Sequence, residues 1–329
     1  MPLPEEANRI IEDIRRMRIR GAGQIACSAV EALRVVAEQS NARDIQGFMR
    51  DLNDAAQVLL GTRPTAVSLP NGIRYVMHRV GTQLTTASLV TEMRSATLKV
   101  ADEFIENAKN AVRRIGEIGA KRISNGDVLL THCNSHAAIS VMKTAWDQGK
   151  RFEVYVTETR PRFQGRLTAR ELANAGIPIT MILDDAVRYF MQDVDKVLVG
   201  ADAITANGAL VNKIGTSLLA LAAHEAKVRV FVAAETYKFS PETMIGELVT
   251  IEERDFTEII SKDALKEMGH VRVRNPSFDV TPPEYIDLII TERGIIPPLG
   301  AILILEDVFG VVTPEELREY QTYALHEQV

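Results

Sequence analysis

The second half of the chain alternates short apolar runs with helical stretches, and this alternation limits the fold more than any other feature of the sequence. Six strand-like runs occur, at Val128–Leu130, Phe152–Val156, Ile179–Leu183, Lys196–Val199, Val228–Ala233 and Ile286–Ile290. Helical stretches separate most of them. Strands that alternate with helices in this way form βαβ units around a parallel sheet. We therefore predict an α/β fold for this part of the chain.

Up to about residue 120, apolar side chains recur at helical spacing without strand signals. One stripe includes Ile25, Ala29, Leu33 and Val36, and such a stripe is the buried face of an amphipathic helix. The chain has 329 residues, which is too long for one typical small core. The sequence predicts two domains, a helical one at 1–120 and an α/β one at 121–329.

The stretch Asp127–Ala138, with the sequence DVLLTHCNSHAA, places Cys133 between a predicted strand and a predicted helix. In open α/β sheets, ligands bind outside the carboxyl ends of the strands. A helix amino terminus favours a thiolate over a thiol, so we expect the pKa of Cys133 to be lowered. The alternative for a single cysteine is that it is only a small buried residue.

Three further predicted strands are followed by polar segments, at 158–161, 200–203 and 235–238. Each segment taken alone is typical of a turn or a helix cap. Taken together, they would bring Arg160, Asp202 and Lys238 to the same crevice as Cys133. We therefore favour a single site at the carboxyl edge of the sheet.

Two segments offer backbone N–H groups and a cation to a phosphate. Arg20–Gly23 is a glycine-containing turn that leads into a helix, and Asn212 with Lys213 is expected to begin another helix. Helix amino termini bind anions, and Asn is a favoured cap. Arg63 lies in a proline-bounded loop that could close over an anion. The alternatives are a glycine that only relieves strain and an arginine that is only solvated.

Composition and charge exclude several classes of protein. The net charge is -6 without a long basic run, so we expect no nucleic-acid partner. The two cysteines, Cys27 and Cys133, lie far apart, and Cys27 is expected to pack inside a helix. Neither a disulfide framework, a metal site nor a dinucleotide fingerprint is expected, so we predict no metal and no cofactor. No apolar run is long enough for a membrane span and no signal peptide is expected, so we predict a cytoplasmic protein.

These motifs together resemble those of a known superfamily. It holds methylthioribose-1-phosphate isomerases, archaeal ribose-1,5-bisphosphate isomerases and the regulatory subunits of a translation-initiation exchange factor. The residues that carry the resemblance are Arg20–Gly23, Cys133–Ser135, Glu158–Pro161, Gly200–Asp202 and Asn212–Thr216. The likeness to the ribose-1,5-bisphosphate isomerase family extends through Val141–Trp146, Ala233–Phe239, Phe278–Tyr285 and Ile290–Pro298.

The resemblance implies a helical N-terminal domain, a Rossmann-like parallel-sheet C-terminal domain, and dimers. For the bisphosphate isomerase family it implies conversion of α-D-ribose 1,5-bisphosphate to D-ribulose 1,5-bisphosphate through a cis-phosphoenolate. It also implies an archaeal AMP degradation route that feeds RuBisCO, AMP as an activator, and a homohexamer built as a trimer of dimers. The alternatives are a methylthioribose-1-phosphate isomerase and a non-catalytic regulatory subunit, which typically lacks the pair that stands here as Cys133 and Asp202.

The chemistry of such a substrate assigns a role to each member of this pair. A phosphate on carbon 1 prevents the ring from opening to a free aldehyde, so the carbon 2 proton must leave while the ring oxygen is expelled. This step needs a base and an acid. We expect Cys133 as the thiolate base and Asp202 as the acid, with a pKa raised by an apolar site. The residues expected to hold the substrate are Arg20, Gly21, Ala22, Gly23, Arg63, Ser135, Asn212, Lys213 and Lys238.

Overall fold

The computed structural model describes residues 3–19, 21–63, 67–83, 89–246 and 248–309. Helices occupy most of the first third of the chain, and they are α1 (Glu5–Arg15), α2 (Ala22–Gln39), α3 (Ile45–Leu60), α4 (Ser68–Gln83) and α5 (Val90–Gly119). Within the described ranges, no strand precedes residue 128. The predicted helical N-terminal region is therefore confirmed.

The rest of the chain alternates strands with helices. The strands are β1 (Val128–Thr131), β2 (Glu153–Thr157), β3 (Ile179–Ile182), β4 (Lys196–Gly200), β5 (Ala203–Ile204), β6 (Leu210–Lys213), β7 (Arg229–Ala233), β8 (Phe278–Thr281), β9 (Leu288–Thr291) and β10 (Gly294–Ile296). The helices are α6 (His136–Asp147), α7 (Gln164–Asn174), α8 (Val187–Phe190), α9 (Thr216–Ala226), α10 (Lys262–Glu267) and α11 (Ala301–Phe309). Each of the six predicted strand runs corresponds to one of these strands.

The chain divides into two compact units. Unit 1 comprises Met1–Ala111, Tyr237–Gly246 and Leu305–Val329, and unit 2 comprises Val112–Thr236 and Glu247–Ile304. Unit 1 thus includes a short segment from the middle of the chain. The domain limits of 1–120 and 121–329 remain a prediction.

Unit 1 is built around the apolar faces of its helices. In unit 1, α2 packs against α1, α3 and α4. Its predicted stripe is buried, with Ala29 and Leu33 fully covered. Cys27 is half-buried and packs against this core, as its position in the helix predicts. The helical periodicity of the sequence therefore identified the core of this unit correctly.

The main sheet of unit 2 has seven strands in the order β10-β9-β7-β4-β1-β2-β3. All neighbours are parallel except β9 and β10, which form an antiparallel pair. The six parallel strands, numbered along the chain, lie in the order 3-2-1-4-5-6. This is the strand order of the Rossmann fold, so the predicted α/β class with a Rossmann-like sheet is confirmed.

A second, smaller sheet of unit 2 was not predicted. It is antiparallel, with the order β5-β6-β8. β5 has only two residues, and β6 and β8 have four residues each and mix polar with apolar side chains, so all three lack the apolar run by which the parallel strands were found. The expectation that Asn212 and Lys213 begin a helix is wrong, because both residues lie on β6.

Across the described ranges, no helix combines the length and the apolar character that crossing a membrane requires.

Candidate active site

Cys133 and Asp202 follow the two strands at which the strand order of the main sheet reverses. β1 and β4 are parallel neighbours, with Leu130 paired to Val197, and successive strands are added on opposite sides of this pair. Such a reversal leaves a crevice outside the carboxyl ends of the strands, where ligands of open α/β sheets bind. The charge of Asp202 acts on the Cys133 thiol. The structure therefore brings the two predicted catalytic residues together.

A close approach of backbone to side chain forms one wall of this crevice. Ser135 is the N-cap of α6, and its hydroxyl accepts a hydrogen bond from the backbone N–H of Ala138 at 3.3 Å. A Cβ placed on Gly200 would lie 2.1 Å from Ser135 Oγ. Glycine is therefore required at the end of β4, two residues before Asp202. The Ser135 hydroxyl has a capping role in addition to its predicted contact with the substrate.

The backbone of Cys133 is held in an unusual conformation. Its φ angle is 69°, in the left-handed region that costs a non-glycine residue about 1–3 kcal/mol. The backbone N–H donates to Thr159 Oγ1 at 2.9 Å. The backbone carbonyl accepts from Thr168 Oγ1 at 2.7 Å. Two threonine hydroxyls from neighbouring elements therefore fix the residue on both sides.

The electrostatics of Cys133 contradict one expectation from the sequence. The pKa of the thiol is raised to about 12, chiefly by burial, with the charges of Asp202 and Asp184 acting in the same direction and that of Lys213 opposing them. The expected lowering of the Cys133 pKa by the α6 amino terminus is therefore wrong. Desolvation of a buried thiolate outweighs the field of the helix.

The junction between β6 and α9 contains the predicted anion cradle of Asn212 and Lys213. Asn212 Nδ2 donates to Thr216 Oγ1 at 3.0 Å. Lys213 Nζ donates to the carbonyl of Ser277 at 2.9 Å and lies 4.5 Å from the centre of the Phe278 ring. Both predicted residues are buried. They are the last two residues of β6 and do not cap a helix.

The amino terminus of α9 is covered by a carboxylate of the chain itself. Asp279 accepts hydrogen bonds from the backbone N–H of Gly215 at 2.7 Å and from that of Ser217 at 3.1 Å. Burial raises the pKa of Asp279 to about 6, although these hydrogen bonds and Lys213 lower it. The N–H groups that would cradle an anion at this helix are therefore engaged by Asp279.

A series of hydrogen bonds links the β1–α6 junction to the β6–α9 junction. His132 Nε2 lies 2.9 Å from the carbonyl oxygen of Ile214, so this nitrogen is the donor. Burial lowers the pKa of His132, so the ring is neutral and Nδ1 accepts from Thr157 Oγ1 at 2.6 Å. Thr157 Oγ1 in turn accepts from Thr159 Oγ1 at 3.3 Å. The buried imidazole therefore has a structural role that connects the two junctions.

The other predicted substrate-binding residues belong to unit 1. Arg20 lies outside the described residues. Gly21 has a φ angle of 85° and precedes α2, which begins with Ala22 and Gly23. Arg63 is half-buried after the C-cap of α3.

Lys238 is buried in unit 1. Asn71 on α4 donates to the carbonyls of the residues on both sides of Lys238, Tyr237 at 2.9 Å and Phe239 at 2.7 Å. The Asn71 side chain therefore fixes the backbone on both sides of Lys238, a role that was not predicted from the sequence.

Sequence reasoning also missed Asp184, Thr159, Thr168 and Asp279. Thr159 and Asp279 lie in segments that carry the family resemblance, but no role was predicted for either, because the hydrogen-bond partners of all four residues are 25 to 64 residues away. Among the described residues, no group of three or more histidine, cysteine or acidic side chains could hold a metal ion.

Comparison with known proteins places this chain in a family. A model of the initiation factor 2 subunit family matches residues 18–298. A protein of Thermococcus kodakarensis named ribose 1,5-bisphosphate isomerase is 55% identical over 311 residues, which make up 94% of this chain and 97% of that protein.

Solved structures agree with this assignment. The translation initiation factor eIF-2B of Pyrococcus horikoshii superposes with a TM-score of 0.77 at 37% identity and covers 91% of this chain and 100% of its own. The 5-methylthioribose 1-phosphate isomerase of the same organism superposes with a TM-score of 0.73 at 31% identity and covers 93% and 88% of the two chains. This chain belongs to the initiation factor 2 subunit family.

Proposed function

We propose that the chain is an aldose–ketose isomerase that converts α-D-ribose 1,5-bisphosphate to D-ribulose 1,5-bisphosphate. The observation that carries the proposal is a thiol, Cys133, beside a carboxyl group, Asp202, at the switch point of a Rossmann-like sheet. The likeness to a ribose 1,5-bisphosphate isomerase over nearly the whole of both chains supports it. A binding subunit would have no need for a paired acid and base in a water-poor crevice.

The proposed reaction moves two protons and leaves the substrate's atoms otherwise in place. Cys133 removes the proton from carbon 2, and the electron pair forms a double bond between carbons 1 and 2. Asp202 protonates the ring oxygen as it leaves carbon 1. The resulting cis-phosphoenolate takes a proton at carbon 1 while the carbon 2 hydroxyl group loses its proton, so that carbon 2 becomes the carbonyl carbon of the ketose. Each such proton transfer contributes about 100- to 10,000-fold to the rate.

Two features of the site favour the thiolate that this mechanism needs. The proton that Asp202 carries as the acid removes one of the negative charges that raise the pKa of Cys133. The Lys213 ammonium lowers that pKa as well. Base and acid are therefore coupled, because the protonated form of one favours the ionised form of the other.

We propose that the phosphates are held by the cationic and glycine-containing segments. The residues proposed for this role are Arg20, Gly21, Ala22, Gly23, Arg63, Ser135, Asn212, Lys213 and Lys238. Charge-assisted hydrogen bonds from such groups are worth about 1.5–3 kcal/mol each.

The wider setting is proposed from the family resemblance. The enzyme would act in the cytoplasm, in an archaeal route that degrades AMP and delivers the ketose to RuBisCO. AMP would activate it, and the active form would be a homohexamer assembled as a trimer of dimers. No nucleic acid, membrane, metal or cofactor takes part in this proposal.

One assay tests the proposed substrate. The purified protein is offered ribose 1,5-bisphosphate and methylthioribose 1-phosphate in separate reactions, and ketose formation is followed by NMR. We expect ribulose 1,5-bisphosphate from the first and a rate at least about 100-fold lower with the second, which lacks a phosphate that two charge-assisted contacts would hold. Faster turnover of the second substrate would assign the chain to the methylthioribose-1-phosphate isomerases. No turnover of either would favour a regulatory subunit.

A further inference from the structure

Cys133 depends on a second strained residue in the neighbouring loop. Thr159, directly beyond β2, has a φ angle of 62°, which is a rare conformation for a β-branched side chain. Its hydroxyl accepts the Cys133 backbone N–H at 2.9 Å. Two adjacent strand ends therefore carry left-handed, non-glycine residues that are bonded to each other. Strain of this kind persists only where the surroundings enforce it.

The conformation of Thr159 is enforced by Asp184, which follows β3. One carboxylate oxygen of Asp184 accepts the backbone N–H of Thr159 at 2.7 Å, and the other accepts that of Arg160, also at 2.7 Å. An ionised carboxylate can accept both bonds at once. Hydrogen bonds to a charged group are worth more than neutral ones, about 1.5–3 kcal/mol. This is enough to offset the cost of one strained residue.

We propose that Asp184 and Thr159 are positioning residues for Cys133: Asp184 fixes the loop after β2, and the Thr159 hydroxyl fixes the backbone of Cys133 so that its thiol faces the reacting carbon. Neither side chain touches the substrate in this proposal. It rests on the proposed isomerase reaction for its kinetic test, but its chemical test needs only the Cys133 thiol.

The hydroxyl of Thr159 also explains why a threonine or serine is needed at this point. It accepts a hydrogen bond from the Cys133 backbone N–H and donates one to Thr157 Oγ1. The hydrogen-bond series then continues through His132 to the β6–α9 junction. Valine fills the same volume as threonine but can do neither. Thr159→Val and Thr159→Ser are therefore a matched pair that separates hydrogen bonding from packing.

The kinetic test compares kcat with KM in these two variants. For Thr159→Val we expect kcat to fall about 10- to 100-fold, since small misplacements of a reacting group have effects of this size, while KM changes less than about twofold. Thr159→Ser should recover most of the lost rate. Equal losses in both variants, or a Thr159→Val kcat within about twofold of the parent, would overturn the proposal.

The chemical test uses iodoacetamide alkylation of Cys133 in a Cys27→Ser background, across a range of pH. Asp184 raises the pKa of the thiol, so Asp184→Asn should shift the alkylation profile to lower pH while kcat falls at least about 10-fold. The exposed neighbour, Asp185→Asn, removes the same charge and should leave both unchanged. Identical behaviour of the two variants would overturn the role of Asp184. Alkylation does not depend on the substrate, so it remains informative if the proposed reaction is wrong, and circular dichroism verifies that each variant is folded.

Discussion

Two of the strand-to-helix junctions of unit 2, β1–α6 and β6–α9, differ in how they cap the helix and in which residue adopts a positive φ angle. At β1–α6 the helix is capped by its own neighbour, Ser135, and the preceding Cys133 adopts a left-handed conformation. At β6–α9 the glycine Gly215 adopts the positive φ angle, and the helix amino terminus is covered by the distant Asp279. The first junction therefore strains a reactive residue, whereas the second relieves strain and neutralises its own helix end.

This difference separates the roles of the two junctions. A strained, buried cysteine beside Asp202 is suited to proton transfer. At the β6–α9 junction, Asp279 already interacts with the positive end of the helix dipole. An anion that binds there must therefore contact side chains, above all Lys213. Asp202 lies between the two, since its backbone N–H donates to the carbonyl of Val211 on β6 at 3.0 Å. In the proposed reaction, proton transfer therefore belongs to the first junction and phosphate binding to the second.

The largest expected effect is at the first junction. Cys133→Ala should lower kcat about 100- to 10,000-fold, because it removes a proton-transfer group. The melting temperature should fall little, since the side chain is small. Turnover is measured by NMR of the ketose, with Cys27→Ser as the control that should keep its activity. Near-parental turnover by Cys133→Ala would remove this residue from the mechanism and erase the contrast between the junctions.

A smaller effect is expected at the second junction. Lys213→Ala should weaken binding of the bisphosphate about 10- to 100-fold through loss of a charge-assisted contact. Because Lys213 also holds the Ser277 carbonyl, some stability should be lost, a consequence that the sequence alone did not predict. Calorimetric binding is compared with that of Lys266→Ala, an exposed lysine on α10. Equal affinities in both variants would mean that the junction does not bind the phosphate.

The third effect is on the stability of the fold rather than on binding or turnover, and it concerns the cap of α9. Burial raises the pKa of Asp279 from 3.8 to about 6. Between these pH values the folded chain keeps a proton that the unfolded chain has released, so the stability contributed by Asp279 is present at low pH and falls as the pH rises from about 4 to about 6. The loss is at most about 3 kcal/mol.

Urea unfolding of the parent and of Asp279→Asn across this pH range isolates the effect. The stability of the parent relative to the variant should decline as the pH rises. A relative gain over the same range would mean that the helix amino terminus stabilises the carboxylate more than burial destabilises it.

The sequence predicted what depends on periodicity, and it missed what depends on distant polar contacts. The apolar runs located every parallel strand, and the helical stripe of α2 located the core of unit 1. Cys133 and Asp202 were identified because each follows a predicted strand, and the carboxyl ends of parallel strands lie at one edge of the sheet. In contrast, Asp184 and Asp279 reach their partners across 25 and 64 residues, and no local pattern encodes such contacts.

The error at Asn212 and Lys213 has a similar origin. The two residues lie between the Asn207-Gly208 turn and α9. In such a short segment, an asparagine before a helix has the same sequence pattern whether it caps the helix or ends a short strand. The strand forms because β8 pairs with it, placing Asn212 opposite Asp279. The lowered pKa expected for Cys133 failed for another reason, since burial depends on the whole fold rather than on the nearest helix.

Asp202→Asn tests the central assignment most directly, with binding and turnover measured on the same sample. The amide fills the same volume and caps as well as the acid, but it cannot donate a proton to the ring oxygen. We predict that calorimetry finds the bisphosphate bound at least as tightly as by the parent, while ketose formation falls by at least about 100-fold. Turnover at the parental rate would contradict it and leave the acid unidentified, with Glu158, now in an ion pair with Arg166, as the next candidate.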